Sequence, residues 1–141
     1  MPRFIDPKLG RIIDANFNRA KEGLRVCEDI CRFIDNNKVL TSQYKSIRHQ
    51  LTQIISRLSL PGIVQARDIP GDVGKKSQAM EFKRKNVADI FYANSQRVKE
   101  SIRVLEEFLK LIDKNLAQDL KQLRYQVYAL EQKGAAKLRK S

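Results

Sequence analysis

The 141-residue sequence predicts an all-α protein, a four-helix bundle of two pseudo-two-fold-related helical hairpins joined by a long ordered loop. Three observations predict it. The chain repeats itself at an offset of 78, each copy carries a helical hydrophobic period, and a segment punctuated by Pro and Gly separates the copies.

Residues 15–35 (ANFNRAKEGLRVCEDICRFID) align with residues 93–113 (ANSQRVKESIRVLEEFLKLID), and ten of these 21 positions are identical. After a two-residue slip the match resumes, YKSIRHQL (44–51) against LKQLRYQV (120–127). At about 100° per residue, with Asn16 at zero, Ala20, Gly23, Leu24, Cys27, Ile30, Cys31 and Ile34 fall within about −40° to +80°. Val98, Ser101, Ile102, Leu105, Phe108, Leu109 and Ile112 occupy the same arc in the second copy. Long helices are therefore predicted near 8–35 and 87–113, and shorter ones near 42–58 and 116–132, with Thr41 as N-cap of the second helix. Two hairpins that each expose an apolar face bury both by packing together. Residues 59–86 contain Pro61-Gly62 and Pro70-Gly71 and exceed an ordinary helix–helix turn, which favours an ordered loop or lid. The expected organisation is one helical domain over 1–132, with repeats at about 8–58 and 87–132, followed by a basic disordered tail over 133–141.

The net charge of +12 is unevenly placed. Residues 75–85 carry five Lys/Arg and one Glu, and residues 132–141 carry four Lys/Arg and no acid. Neither stretch is accompanied by zinc-finger spacing or an aromatic RNA-binding signature, so basicity welcomes anions without pointing to nucleic acid. No stretch approaches the roughly 20 apolar residues of a membrane span, and the N-terminus lacks an apolar signal core. A cytoplasmic protein with no membrane segment is expected. The two cysteines, Cys27 and Cys31, read as small core residues in a reducing compartment.

Asn16 and Asn94 fall in the middle of the buried arc, with Arg19 and Arg97 at its edge. A buried amide must find partners, so each Asn either ties helices together or faces a cavity. The Arg forks suit phosphate or carboxylate. Glu22, Arg25 and their copies Glu100 and Arg103 lie farther round the helix. Their spacing permits intrahelical ion pairs, Glu22 with Arg25 and Arg25 with Asp29, as readily as a site in which glutamates hold a cation and arginines hold phosphates. In the linker, ARDIPGDVG (66–74) offers Arg67 as a phosphate fork and Asp68 and Asp72 either as metal ligands or as caps of their own turns. A Walker A loop is excluded, because Gly74-Lys75 is followed by Lys76 and Ile69 stands where the first Gly belongs.

Taken together, RIIDANFNRAKEGLRVCEDICRF, RHQL, ARDIPGDVG, ANSQRVKESIRVLEEFLKL and LRYQVYALE resemble the alternative hydroxymethylpyrimidine-phosphate kinase family of thiamine biosynthesis. This helical domain is also found fused ahead of bacterial thiamine-phosphate synthase. The resemblance spans about residues 9–132; Cys27 and Cys31 stand where the family usually has Leu and Ala. It implies phosphorylation of hydroxymethylpyrimidine phosphate to the diphosphate by ATP with Mg²⁺. On that reading Arg19, Arg25, Arg67, Arg97 and Arg103 supply positive charge. Glu22, Glu100, Asp68 or Asp72 hold the metal, and Asn16 or Asn94 reads the pyrimidine edge. The chain is not expected to join the pyrimidine and thiazole halves by itself, because no synthase segment follows its basic tail.

Three function classes make different structural demands. An enzyme needs a pocket lined by repeat residues together with the 66–74 loop. A non-catalytic partner or regulatory domain, with thiamine-phosphate synthase as a partner or as a homodimer, needs an exposed apolar patch and arginines locked in salt bridges without a cavity. A nucleic-acid binder needs its charge on one continuous face.

Overall fold

The computed structural model describes residues 6–58, 67–74 and 83–139. Among the described residues four α-helices form, α1 (Pro7–Asp29), α2 (Lys38–Ser56), α3 (Val87–Leu109) and α4 (Lys114–Arg139). Asp6 caps α1, its carboxylate accepting from Lys8 N, and Pro7 occupies the first turn, where no intrahelical N–H bond is lost. Asn86 caps α3 by accepting from Asp89 N, while Asp89 accepts in return from Lys85 N.

The two-residue slip between the repeats has a physical location. In the first hairpin α1 passes into a π-helical turn, Ile30–Ile34, and Asn36 adopts a left-handed conformation at φ 50°. Asn37 then caps α2 by accepting from Leu40 N. In the second hairpin α3 ends without that turn, and Asp113 caps α4 directly, accepting from Asn115 N and Leu116 N. The first copy therefore holds two extra residues between its helices. Two expectations are corrected here. Asn37, not Thr41, is the N-cap of α2; Thr41 instead donates to Asn37 O from inside the helix. Ile34, placed on the buried arc, is 54% exposed because the wider turn rotates it off the stripe.

A third correction concerns the C-terminus. The basic tail predicted to be disordered from 133 is helical through Arg139. Its small residues explain this, since Gly134 lies against the Phe91 ring and Ala135 is buried, so α4 continues to pack on α3.

Around the bundle α1 touches α2 and α3, and α4 touches α3 and α2. Cys27 Sγ lies 3.6 Å from Ser95 Oγ, and Gly23 packs on Val98, so α1 and α3 run antiparallel. It follows that α2 and α3 sit diagonally and point the same way. The connection between them must return along the bundle, a distance of about 30 Å for helices of this length. That requirement, rather than any local motif, explains the length of the linker. Of the predicted loop, residues 67–74 and 83–86 are described. The apolar GIVQA stretch and most of the basic 75–85 run lie outside the described residues.

One core fills the interior. Tyr44, Phe91, Leu24, Leu51, Ile55, Ile102, Leu105 and Leu120 are among its largest fully buried side chains. It includes most of the arc residues from both repeats, Ala20, Leu24, Cys27, Ile30 and Cys31 with Val98, Ile102, Leu105 and Leu109.

Candidate functional site

An open cleft of about 540 Å³ lies between the N-terminal half of α1 and the 67–74 loop. Lys8, Arg11, Ile12, Asp14, Ala15, Asn16 and Arg19 form its floor, and Arg67, Asp68, Ile69 and Asp72 form its wall. Volumes of this size are ordinary for small-molecule sites. Four cations, the positive end of the α1 macrodipole and three carboxylates meet here.

The wall is tied to the floor by one bidentate ion pair. Arg67 Nε donates to Asp14 Oδ2 at 2.6 Å, and Arg67 Nη2 donates to Asp14 Oδ1 at 2.9 Å. The Asp14 side chain is only 9% exposed whereas Arg67 is 44% exposed. The carboxylate beside it raises the Arg67 pKa further above the usual arginine value. Asn18 Nδ2 donates to both the carbonyl and Oδ1 of Asp14, at 3.0 and 3.2 Å, and so steadies the carboxylate. Asn16, buried as the period predicts, does not bridge helices. Its Nδ2 donates to Ile12 O at 2.8 Å, and its Oδ1 accepts from Arg19 Nη1 at 3.4 Å, which holds the guanidinium over the cleft.

Asp68 and Asp72 shape the wall. Asp68 Oδ1 accepts from Gly71 N, and Asp72 Oδ1 accepts from Gly74 N, each at 2.9 Å. Both are turn caps, and each retains its second carboxylate oxygen. Among the described residues no three His, Cys, Asp or Glu side chains converge as a metal cage.

Of the predicted site residues the cleft thus gathers Asn16, Arg19, Arg67, Asp68 and Asp72. The others lie elsewhere. Glu22 is exposed on α1 outside the cleft lining. Arg25 pairs with Glu28 at 3.6 Å rather than with Glu22 or Asp29. Asn94 donates to Ile90 O, Glu100 accepts from Gln96, and Arg103 pairs with Glu106 and Glu107. Arg97 is exposed and makes no ion pair among the described residues. Glu28 and Glu106 are buried and bridge the hairpins internally, Glu28 to Arg48 at 3.2 Å and Glu106 to Arg124 at 3.0 Å.

Sequence reasoning missed Lys8, Arg11 and Asp14. Asp14 lies about 160° round the helix from Asn16, on the side that the period assigns to solvent. The available signal was the break in the repeat, since the positions 78 residues after Lys8, Arg11 and Asp14 hold Asn86, Asp89 and Tyr92.

Comparison with known proteins follows the same outline. The chain is 44% identical over 122 residues to a thiamine-phosphate synthase of Nostoc punctiforme, covering 86% of this chain and 34% of that protein. It is 45% identical over 124 residues to one from Synechocystis, with coverages of 87% and 35%, and 41% identical over 120 residues to one from Rhodopirellula baltica, with coverages of 84% and 32%. The chain therefore spans about a third of the length of these relatives. No solved structure matches it. The ThiD2 family matches residues 11–133, nearly the whole bundle with its cleft, and the chain belongs to that family.

Proposed function

We propose that the chain serves thiamine biosynthesis by phosphorylating hydroxymethylpyrimidine phosphate to the diphosphate, with ATP as donor, in the cleft beside α1. The observation that carries this reading is the convergence of Lys8, Arg11, Arg19 and Arg67 on one cavity with two turn-forming carboxylates in its wall. In the reaction an oxygen of the pyrimidine's phosphate attacks the γ-phosphorus of ATP. The bond from that phosphorus to the bridging oxygen breaks, and ADP leaves. The attacking oxygen is already ionised, so no strong general base is demanded. Positioning and charge neutralisation carry the catalysis. Arg19, held by Asn16, and Arg67, held by Asp14, offer oriented guanidinium groups, while Lys8 and Arg11 add point and fork charges nearby. Asn16 accepts from Arg19 and keeps an amide N–H free, so it can steady the arginine and still meet a pyrimidine edge.

The donor set fits Mg²⁺ of the kind held chiefly by substrate phosphates, with Asp68 and Asp72 each offering a carboxylate oxygen that no turn uses. Bound there, the ion would draw charge from the phosphates. Asp14 is less suited as its ligand because its charge is already paired with Arg67.

The test is calorimetric titration with hydroxymethylpyrimidine phosphate, with and without Mg-ATP, followed by product analysis. Diphosphate formation is expected. Binding without turnover would make the domain a pyrimidine carrier, and absence of binding would remove the enzyme reading.

A second reading is favoured by the relatives' names, since each is a thiamine-phosphate synthase of which this chain matches about a third. On that reading the bundle is a helical partner or regulatory domain of such a synthase. It is expected to co-migrate with the synthase in gel filtration and to change its rate, and a wholly inert mixture would remove it.

A further inference from the structure

We propose that Asp14 is a positioning residue that assembles the cleft, by locking the Arg67 fork and with it the loop wall against α1 so that the cleft can hold a polyphosphate. The inference deepens the anion-site reading above and rests on it.

The geometry has three parts. Asp14 is nearly buried although it lies on the helix side away from the hydrophobic stripe, and the loop side chain Arg67 bonds both of its carboxylate oxygens. Among the described residues, its two hydrogen bonds with Arg67 are the only ones that join 67–74 to a helix. The remaining loop bonds, Gly71 N to Asp68, Gly74 N to Asp72 and Asp72 N to Ile69 O, are internal. Finally, the bidentate grip uses Nε and Nη2 of Arg67, leaving Nη1 as a donor on a guanidinium that lines the cleft. A planar fork fixed along one edge presents its other edge in a set direction, which a lysine cannot reproduce.

The second copy supports the assignment. Its equivalent of Asp14 is Tyr92, and the cleft lined by the described loop is completed by α1 residues. The carboxylate is present in the copy whose helix lines the cleft.

A carboxylate beside an anion site makes an unusual demand on the sign of a mutational effect. By Coulomb's law alone, removing the Asp14 charge makes the cleft more positive and tightens anion binding. As a latch, the same removal frees Arg67 and the wall and weakens it. Misplacing positioning groups by about 1 Å lowers function by up to ~100-fold, so a loss of about tenfold is expected here.

The experiment is titration of the full chain with inorganic pyrophosphate, comparing wild type, Asp14→Asn, Arg67→Lys, Arg67→Gln and the double variant Asp14→Asn/Arg67→Gln. Circular dichroism confirms that each is folded. Asp14→Asn is expected to bind about tenfold more weakly, and Arg67→Lys to lose affinity although its charge is kept. Asp14→Asn is expected to produce no further loss once Arg67 is Gln, because Asp14 acts only through that residue. Unchanged or tighter binding by Asp14→Asn, or independent losses in the double variant, would overturn the latch while leaving the anion site intact. Should Asp14→Asn fail to fold, Arg67→Lys on the exposed wall decides, and wild-type affinity there overturns the proposal. Absence of pyrophosphate binding by wild type would overturn the anion-site reading and the latch with it.

Discussion

Asn16 on α1 and Asn94 on α3 make the same hydrogen bond, each donating to the carbonyl four residues before it at 2.8 Å. The buried pairs Glu28–Arg48 and Glu106–Arg124 are likewise copies across the pseudo-two-fold. Around these shared features the surfaces diverge. Lys8, Arg11 and Asp14 on α1 face Asn86, Asp89 and Tyr92 at the equivalent positions of α3, and Arg11 against Asp89 reverses the charge outright. What the two halves share is what holds a hairpin together. What they do not share is the cleft, which arises where one linker meets one of two similar helices. The shared glutamate–arginine pairs are therefore framework in this molecule, and the cleft adds the unshared Lys8, Arg11 and Asp14 to the shared Asn16 and Arg19.

The strongest way to test the framework half of that comparison is to break each buried pair in turn. Glu28 and Glu106 side chains are 5% and 3% exposed, so a glutamate that loses its cross-helix arginine stays buried with only the half-exposed Arg25 or Arg103 as partner, at 3.6 and 3.4 Å. Arg48→Met and Arg124→Met are each expected to lower unfolding free energy by about 2 kcal/mol in denaturant titrations, less than for an unpaired buried charge because one arginine remains. Equal losses confirm that the pairs are one device used twice. A loss confined to one copy would show that the symmetry is inherited but no longer structural.

The same divergence governs what was legible in the sequence. The helices and the hairpin pairing were readable because apolar positions recur at the helical period in two copies, and local periodicity reports directly on a core face. The arginines of the repeat were readable as paired, but not with whom. Arg25 bonds Glu28, and Arg48 crosses to the same glutamate from another helix, a contact that no single-helix spacing contains. Asp14 was illegible for a related reason, because its partner Arg67 comes from the loop and no helical spacing contains that contact. Arg67 was singled out as a phosphate fork, yet most of that fork grips Asp14. The helical tail escaped notice because composition registers Lys and Gly, while its order depends on Gly134 fitting beneath Phe91.

The site half of the comparison sharpens with a matched pair of substitutions. Arg19 and Arg97 are equivalent in the repeat, but only Arg19 lines the cleft. Arg19→Ala is expected to weaken hydroxymethylpyrimidine phosphate about tenfold, the loss of one hydrogen bond to a charged group. Arg97→Ala is expected to leave affinity unchanged. Equal effects in calorimetry would place a second site on α3 and dissolve the distinction between the halves.

A smaller effect is expected where the halves touch. Gly23 lies so close to α3 that a Cβ would come within 2.6 Å of Val98 Cγ2 and 3.0 Å of Asn94 O. The symmetry-related positions hold Ser101 and Ala20, so the larger residue has changed sides while the total fill is kept. Replacing Gly23 by Ala gains about 1 kcal/mol of helix propensity but forces a contact of a kind that costs ~1–3 kcal/mol. A net destabilisation of about 1 kcal/mol follows, because the Asn94 carbonyl is backbone and cannot rotate away. Adding Val98→Ala recreates the arrangement of the other copy and is expected to recover part of the loss. A stabilised Gly23→Ala single variant would show that the helices separate freely there.

The slightest difference between the halves lies deepest. Cys27 and Cys31 occupy positions equivalent to Leu105 and Leu109, so the first copy has two thiols where the second has hydrocarbon. Burial pushes the Cys27 pKa from 9.0 up to about 11, and burial together with Asp35 pushes Cys31 up to about 12. Well below pH 9.0 the thiols are neutral whether the chain is folded or not, and they contribute no pH dependence. As the pH rises above that value the unfolded chain ionises first, so stability falls, and the fall ends for each thiol at its folded value. Urea titrations of wild type should therefore lose stability more steeply above pH 9.0 than those of Cys27→Ala/Cys31→Ala, while the two slopes coincide well below it. Identical alkaline slopes would mean that these thiols ionise as readily inside the bundle as outside, and that the α1–α3 seam admits water on the side where the two copies differ.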